Sequence, residues 1–362
     1  MVREEIIKVL VVDDSAFMRK LIQEFLSEDP SIAVVGTARN GQDAIAKIRL
    51  LKPHVVTMDV EMPVMSGLEA LKIIMKDHPL PVIMLSSTTV QGAENAFLAM
   101  DYGAVDFIAK PSGTISLDLH KVKKELVEKV IHASSAKISM MKHVKKKKPE
   151  NKIYTEKVTV DADSKYVGAR APKNSLVLIG TSTGGPRALQ EVLSALPKQL
   201  KAPVVVVQHM PPGFTKSLAA RLNQLSELTI KEAEQGDVLK NGHVYIAPGD
   251  YHMTLSQSST EITIRLDQSP PRNGHRPSVD VLFESAAQLN IKKIAVIMTG
   301  MGADGSKGLV HLHHHHDVTS IAESKETCVV YGMPKAAAAT GFISYVDPLP
   351  QIAGRIAKLA EG

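Results

Sequence analysis

Three acidic residues and one lysine follow short apolar runs in the first third of the chain. Asp13 and Asp14 end the run that begins at Ile6, Asp59 ends a second run, and Lys110 ends a third. Carboxylate oxygens suit Mg²⁺, which takes few protein carboxylates and keeps several waters. We therefore predict a Mg²⁺ pocket built from Asp13, Asp14 and Asp59. In this pocket Asp59 would attack a phosphoryl group, and Lys110 would supply a fixed positive charge.

A serine in the second half lies at a sharp, glycine-flanked turn. Ser182 is the centre of GTSTG (180–184), which follows one apolar run and precedes a helical pattern. The pattern G-x-S-x-G between a strand and a helix is typical of a nucleophile elbow. The helix N-terminus then offers backbone N–H groups to a developing oxyanion. A phosphate-binding loop is the alternative for such a turn, although the P-loop lysine and the G-x-G-x-x-G spacing are missing.

A base and an orienting acid are predicted at two further strand ends. His209 follows the apolar run 204–207, and Asp304 lies in the Gly-rich turn after the run 294–298. Parallel strands bring their carboxyl ends to one edge of a sheet, so His209 can take the proton of Ser182 while Asp304 orients the imidazole. The structural alternatives are a core histidine and a helix N-cap aspartate. The order Ser, His, Asp differs from that of α/β-hydrolases.

Two α/β units must position these residues. Residues 6–131 alternate strictly between strand and helix, which predicts a parallel sheet covered on both faces. Residues 174–362 resume the alternation, with a β-rich middle and, after residue 305, one helix and one short strand. The predicted strands are 6–12, 33–37, 54–58, 82–85 and 105–109, then 175–179, 204–207, 244–247, 253–255, 262–266 and 293–298.

The segment 132–173 separates the two units. It is rich in Ser, Lys and Asp and sustains no apolar period, so we predict a basic flexible linker between domains 1–131 and 174–362. Part of the net charge of +5 comes from a lysine run, residues 142 and 145–148, without interleaved aromatic residues. Such a run favours a solvated linker over a nucleic-acid tail.

Composition sets further limits. A chain of 362 residues with 44% hydrophobic residues has room for about two domains. No stretch approaches the ~18 apolar residues of a membrane span, and a strand occupies the place of a signal peptide. One cysteine, Cys328, excludes an internal disulfide and fits a reducing cytoplasm. We expect a cytoplasmic protein with Cys328 in its core.

The first unit resembles the response-regulator receiver family over about residues 5–131. The matching motifs are VLVVDDS (9–15), MDVEMP (58–63) and DFIAKP (106–111). The resemblance implies a flavodoxin-like fold with a five-stranded parallel sheet, phosphorylation of Asp59 by a chemotaxis histidine kinase, and Lys110 in contact with the phosphoryl group. It also implies that Ser86 turns toward the phosphate and that Phe107 changes rotamer with it.

The second unit resembles the CheB family of chemotaxis protein-glutamate methylesterases. The matching motifs are GTSTGGP (180–186), VQHMPPGF (207–214), YIAPGD (245–250), HRPSVD (275–280), MTGMGADG (298–305) and VVYGMP (329–334). The resemblance implies a doubly wound, mostly parallel α/β domain that hydrolyses γ-glutamyl methyl esters of chemoreceptors and deamidates receptor glutamines. Ser182, His209 and Asp304 would be the nucleophile, base and orienting acid.

The same resemblance assigns further roles. Thr183 and Met301 would lie beside the nucleophile and help to form the oxyanion environment, and the esterase reaction would need no metal. The receiver face around Ser86 and Phe107 would cover the cleft of Ser182 until phosphorylation releases it. No nucleic-acid partner or membrane insertion is implied.

One segment departs from the family pattern, and two other functions remain as alternatives. Five histidines, residues 311 and 313–316, replace an ordinary helix end and a turn glycine. They could bind a divalent metal, although a surface helix with adventitious affinity is the simpler interpretation. A receiver-controlled transcription regulator would need a helix-turn-helix output, and a non-catalytic adaptor would keep the fold without activity.

Overall fold

The chain folds into two compact units, residues 1–142 and 143–362, in a computed structural model. The structure describes residues 6–110, 116–136, 175–258, 261–315 and 317–361. In this part of the chain no helix is long and apolar enough to cross a membrane.

The first unit alternates five strands with five helices. Its sheet is entirely parallel, with strand order β2-β1-β3-β4-β5, which is the flavodoxin-like order. The elements are β1 (Ile7–Val12), α1 (Ala16–Ser27), β2 (Ile32–Ala38), α2 (Gly41–Leu51), β3 (Val55–Asp59), α3 (Gly67–Asp77), β4 (Val82–Ser86), α4 (Val90–Asp101), β5 (Asp106–Ala109) and α5 (Ser116–Ser134).

Side-chain caps fix where the helices of this unit begin. Ser15, Asn40, Ser66 and Thr89 each accept a hydrogen bond from a backbone N–H in the first turn of the next helix. At Ser66 the bond is reciprocal, because Glu69 accepts from the Ser66 amide and completes a capping box. Each cap follows a strand end, so the loops that carry the acidic residues are short and well defined.

The second unit contains a seven-stranded sheet and a separate hairpin. All described pairings in the large sheet are parallel, in the order β14-β13-β12-β6-β7-β9-β8, and β10 pairs with β11 in an antiparallel hairpin. The elements are β6 (Ser175–Thr181), α6 (Gly185–Ala195), β7 (Val204–Gln208), α7 (Phe214–Leu225), β8 (Thr229–Glu232), β9 (His243–Ile246), β10 (His252–Ser258), β11 (Glu261–Asp267), α8 (Val279–Ala287), β12 (Lys292–Ile297), α9 (Ser306–His313), β13 (Val318–Glu323), α10 (Met333–Ala339), β14 (Tyr345–Asp347) and α11 (Leu349–Ala360).

The structure confirms the fold class and adds elements that the sequence reading omitted. Strand β8 was not predicted, and the region after residue 305 holds α9, β13, α10, β14 and α11 instead of one helix and one strand. Helix α10 reads MPKAAAA, and such an alanine run shows no apolar period. Helix α5 extends to Ser134, into the predicted linker, most of which lies outside the described residues.

One apolar cluster ties the hairpin to the large sheet. It includes Leu178 of β6, Phe283 of α8, Ile264 of β11 and Leu309 of α9, all fully buried. Cys328 is also buried, as predicted. Because these elements share one core, the loops at the carboxyl ends of β6, β7 and β12 are held against a rigid base.

Leu178→Ala should lower the free energy of unfolding of the second unit by about 2–5 kcal/mol, because the cavity it leaves lies inside this cluster. Chemical denaturation of the full chain measures the change. Leu225→Ala is the matched control, since Leu225 is 45% exposed and its truncation should cost less than about 1 kcal/mol. Equal losses in the two variants would contradict the described core.

Candidate phosphoacceptor pocket and active site

The three predicted acidic residues of the first unit meet at the carboxyl edge of its sheet. Asp13 and Asp14 follow β1, and Asp59 ends the neighbouring strand β3. One ligand oxygen from each lies within 4.8 Å of the others. Asp13 and Asp59 are buried, whereas Asp14 is exposed. Among the described residues no other group of three His, Cys, Asp or Glu side chains converges in this way.

The pocket fits a hard divalent cation. Its donors are carboxylate oxygens only, which suit Mg²⁺ better than a soft metal. The exposed side chain of Asp14 leaves one side open to the water molecules that Mg²⁺ retains. The resemblance of this unit to receivers implies the same ion.

Lys110 enters the same pocket from the end of β5. Its Nζ lies 2.9 Å from Asp13 Oδ2 and 2.8 Å from Asp59 Oδ2. Burial raises the pKa of Asp59 to about 6, although the hydrogen bond and charge of Lys110 lower it. Burial would lower the pKa of Lys110, but Asp59 and Asp13 outweigh it and the net shift is upward. Lys110 is therefore charged and shared between two carboxylates.

The two predicted switch residues are both buried. Ser86 ends β4, and its hydroxyl donates a 2.7 Å hydrogen bond to the carbonyl of Gly92 in the first turn of α4. The ring of Phe107 packs edge-on against Phe97, with centroids 6.0 Å apart. The Lys129 ammonium donates to the Phe107 carbonyl at 2.6 Å. Ser86 is thus bonded to helix α4 in this structure.

Ser182 lies in the turn between β6 and α6, as the elbow pattern predicts. The turn continues through Gly184, whose φ of 77° is in the left-handed region, to Gly185, which begins α6. A Cβ atom on Gly185 would collide with the side chains of Thr181 and Gln208. Glycine is therefore required here, because β6 and α6 approach too closely for any side chain.

Gln208 holds this turn from the neighbouring strand, a role that sequence reasoning missed. Its Nε2 donates to the carbonyls of Ser182 and His209, both at 3.0 Å. Its Oε1 accepts a short hydrogen bond from the Thr181 hydroxyl. A glutamine directly before the base histidine was the available signal. The Gln208 side chain therefore links the backbone at Ser182 to the backbone at His209.

His209 and Asp304 form the predicted pair. The His209 amide donates to the Thr181 carbonyl at 3.2 Å, which places His209 beside Ser182 at adjacent strand ends. His209 Nε2 lies 2.8 Å from Asp304 Oδ2. The other ring nitrogen, Nδ1, is buried and has no hydrogen-bond partner. With Nε2–H donating to Asp304, Nδ1 is the basic nitrogen that can take a proton.

Asp304 accepts hydrogen bonds on both carboxylate oxygens. Besides His209, its donors include the Ser278 hydroxyl at 2.8 Å and the amides of Val279 and Asp280 at 2.7 and 3.2 Å. Burial would raise its pKa, but the bond and charge of His209 and the helix donors hold the pKa well below its usual range. Asp304 thus caps α8, and not the helix that follows it in sequence.

Two more residues that were given no role by sequence reasoning lie at this pair. Asn273 Nδ2 donates to Asp304 at 3.0 Å and to Asp280 at 2.8 Å. The His275 ring stacks on that of His209, with centroids 3.8 Å apart and planes 9° from parallel. The HRPSVD motif was the signal for this segment, but its contacts depend on long-range packing.

The loop after β12 passes directly against the nucleophile. Thr299 accepts a hydrogen bond from the Ser182 amide at 3.1 Å. A Cβ on Gly300 would lie 2.9 Å from the Ser182 Cβ, so only glycine permits this approach. Met301 follows in the same loop, and Thr183, adjacent to Ser182, is buried. Thr183 and Met301 both lie in segments beside Ser182.

The histidine-rich segment is a helix end. His311 and His313 close α9, and His314 caps it. The rings of His311 and His315 lie 4.4 Å apart, and His313 stacks on Phe342. Position 316 lies outside the described residues.

The two folds are those of a response-regulator receiver followed by a mostly parallel α/β domain. Residues 9–120 match the family described as response regulator receiver domain, and residues 177–356 match the family described as CheB methylesterase. The chain belongs to the CheB methylesterase family.

Relatives cover nearly the whole chain. The protein-glutamate methylesterase/protein-glutamine glutaminase of Geobacillus kaustophilus is 55% identical, covering 98% of this chain and 98% of its own. The Bacillus subtilis protein of the same name is 50% identical, with 97% of each chain covered. The crystal structure of the Thermotoga maritima CheB methylesterase catalytic domain matches 51% of this chain and 98% of its own, at 50% identity and a TM-score of 0.50.

In metal-free protein Asp59 should titrate near pH 6, and Lys110→Met should move this midpoint upward by removing the cation that favours the ionised form. Carbon NMR of the Asp59 carboxyl in the presence of a chelator measures both. Since the folded pKa is raised, the associated stability is present at low pH and lost as pH rises through about 6. A midpoint near pH 4 in both proteins would contradict the described burial.

Proposed function

We propose that the chain hydrolyses glutamate methyl esters of chemoreceptors, releases methanol, and deamidates receptor glutamines by the same chemistry. The observation that carries the proposal is the 2.8 Å bond between His209 and Asp304 at the strand end next to Ser182. The printed names of the full-length relatives, methylesterase and glutaminase, agree with it. Phosphorylation of the receiver regulates this activity.

The acylation step uses the three residues in order. Ser182 Oγ attacks the ester carbonyl carbon while His209 Nδ1 takes the hydroxyl proton, since Nδ1 is the ring nitrogen left without a partner. The ionised Asp304 stabilises the imidazolium that results, and its low pKa keeps it from taking the proton. His209 then returns the proton to methanol as the ester bond breaks.

The oxyanion is stabilised at the start of α6 and by the loop of Met301. The Thr183 amide lies next to the nucleophile, just before the positive end of the α6 dipole. Donors fixed before the reaction stabilise developing charge without reorganisation. Gly300 allows the loop to lie close to Ser182, so Met301, the next residue, would lie beside the nucleophile.

Water resolves the acyl-enzyme in the reverse sense. His209 deprotonates the attacking water and returns the proton to Ser182, leaving a glutamate side chain. A primary amide follows the same path with ammonia as the leaving group, so one site serves both substrates. We propose that none of these steps needs a metal ion.

The receiver carries the regulatory phosphoryl group on Asp59. Asp13, Asp14 and Asp59 would hold Mg²⁺, which neutralises phosphoryl oxygens when bound. Lys110 binds the same oxygens, and the histidine kinase of the chemotaxis system is the phosphodonor. Ser86 would leave the Gly92 carbonyl and donate to the phosphate, and Phe107 would follow. The first turn of α4 thereby loses a side-chain bond, which changes the receiver face.

The alternatives are less well supported. A transcription regulator would carry a DNA-binding output, whereas the described residues after 174 form a seven-stranded parallel sheet. A non-catalytic adaptor would not need His209 and Asp304 in a triad-like pair. We propose a cytoplasmic location, in keeping with one buried cysteine.

Ser182→Ala should reduce receptor methyl-ester hydrolysis by at least about 10³-fold, because no other nucleophile is activated by His209. His209→Ala should be nearly as severe. Methanol release from methylated receptor membranes measures the rate. Ser194→Ala, an exposed serine on α6, is the control and should keep the wild-type rate. If either variant kept more than about a tenth of the wild-type rate, Ser182 and His209 would not be the nucleophile and the base.

Asp59→Asn should abolish phosphate incorporation from a small phosphodonor and leave methanol release insensitive to that phosphodonor. The wild type should incorporate phosphate only without chelator and should then release methanol faster. Asp77→Asn, at the exposed end of α3, is the matched control and should behave as wild type.

A fragment beginning at residue 172, which lacks the receiver, tests whether the receiver inhibits the esterase or acts by recruiting a partner. If the receiver inhibits, the fragment hydrolyses receptor esters faster than the unphosphorylated chain. Equal rates, with no response of the full chain to phosphodonor, would exclude inhibition by the receiver.

Incorporation of phosphate by the Asp59→Asn protein would show that the acidic pocket is not the phosphoacceptor site.

A further inference from the structure

A carboxylate that the mechanism does not use lies beneath the active-site loop. Glu323 ends β13, the strand beside β12, and is fully buried. Its Oε2 accepts a 2.8 Å hydrogen bond from the Thr299 amide, whereas Oε1 is buried without a partner. Buried polar atoms are nearly always paired, so this orphaned oxygen calls for an explanation.

One residue separates Glu323 from the nucleophile. Thr299 receives the Ser182 amide on its carbonyl at 3.1 Å. Its hydroxyl donates to the Thr183 carbonyl at 2.9 Å and accepts from the Val330 amide at 3.0 Å. Thr299 therefore joins the nucleophile turn, the loop that leads to Asp304 and the segment after β13. The hydrogen bond to Glu323 holds the backbone amide of Thr299, the residue whose carbonyl and hydroxyl make these contacts.

We propose that Glu323 is a positioning residue for the reaction: by accepting from the Thr299 amide it sets the place of the Ser182 turn relative to the loop of Met301 and Asp304. The proposal rests on the esterase function described above. Glu323 touches no reacting atom, so its effect is on the alignment of the nucleophile with its oxyanion donors.

The surroundings of Glu323 favour its neutral form. Burial raises the pKa of Glu323 to about 7, and the charge of Glu191 on α6 adds to this, whereas the hydrogen bond from the Thr299 amide lowers it. The Cys328 thiol stays protonated, because burial and the charges of Glu323 and Glu326 raise its pKa.

The neighbouring acid on β14, Asp347, has a cationic partner. Asp347, in register with Glu323, is paired with Arg355 at 2.8 and 2.9 Å. Two buried acids at one sheet edge therefore differ in partner: Asp347 has a cation, whereas the acceptor bond of Glu323 goes to a backbone amide. This makes Asp347 a matched control for Glu323.

The direction of the pH effect follows. The folded pKa of about 7 exceeds the ordinary value of 4.5, so the stability associated with Glu323 is fully present below about 4.5 and lost as pH rises through about 7. Ionisation would bury a charge that has only one hydrogen-bond donor among the described residues, and the cost of that burial favours conformations in which the junction at Thr299 opens. Glu323→Gln removes this ionisation, so the substitution isolates the effect.

The test compares Glu323→Gln and Glu323→Leu in the phosphorylated full chain, with methanol release measured from pH 5.5 to 9. Glutamine keeps an acceptor for the Thr299 amide and cannot ionise. We expect kcat within about threefold of wild type and no fall above pH 7. Leucine removes the acceptor, and a nucleophile displaced by a fraction of an ångström should lower kcat about 10–100-fold with KM unchanged. Thermal unfolding confirms that each variant is folded.

Two control variants distinguish failure of the positioning role of Glu323 from failure of the esterase function. Asp347→Asn should lower Tm but keep the kcat and the pH profile of wild type. If Ser182→Ala is inactive yet Glu323→Leu keeps kcat within twofold, the positioning role is overturned and the esterase function stands. If Glu323→Leu does not fold, Glu323→Gln decides alone: an alkaline fall in kcat identical to wild type overturns the proposal. Activity in Ser182→Ala would instead refute the proposed function.

Discussion

The buried carboxylate of Asp304 is the interaction on which the catalytic edge depends. A charge taken out of water is tolerated only with several donors, and Asp304 collects them from distant parts of the chain: the His209 ring, Asn273, Ser278 and the first amides of α8. Satisfying one acid therefore fixes the end of β7, the loop before α8 and the helix itself. The base is oriented as a consequence of this packing.

The second buried acid at a strand end, Asp59, has few donors, and its pKa shifts in the opposite direction. Asp59 is bonded by Lys110 and by one long amide contact from Glu61 at 3.4 Å, so desolvation dominates and raises its pKa. An orienting acid must stay ionised and immobile, whereas a phosphoacceptor needs a lone pair free for attack. Similar sheet edges thus shift two carboxyl pKa values in opposite directions through the number of donors around each carboxylate.

The sequence predicts those features whose causes are local. The turn around Ser182 is recognisable because glycines must flank it, and His209 and Asp304 follow because parallel strands end at one edge. Gln208 and Glu323 could not be assigned, because their partners, Ser182 and Thr299, are set by strand order. The five-stranded sheet was predictable from near-continuous apolar strands. The order of the seven-stranded sheet, in which β9 lies between β7 and β8, has no signature in a single sequence.

The receiver pocket shows what its switch must exchange. Lys110 is already bonded to Asp13 and Asp59, and the Ser86 hydroxyl is already bonded to Gly92. A phosphoryl group on Asp59 would have to draw both of these donors from their existing partners. The free energy available to the switch is therefore the difference between two sets of bonds. Because the Ser86 bond that would break is to α4, we expect a state-dependent surface to differ first at that helix.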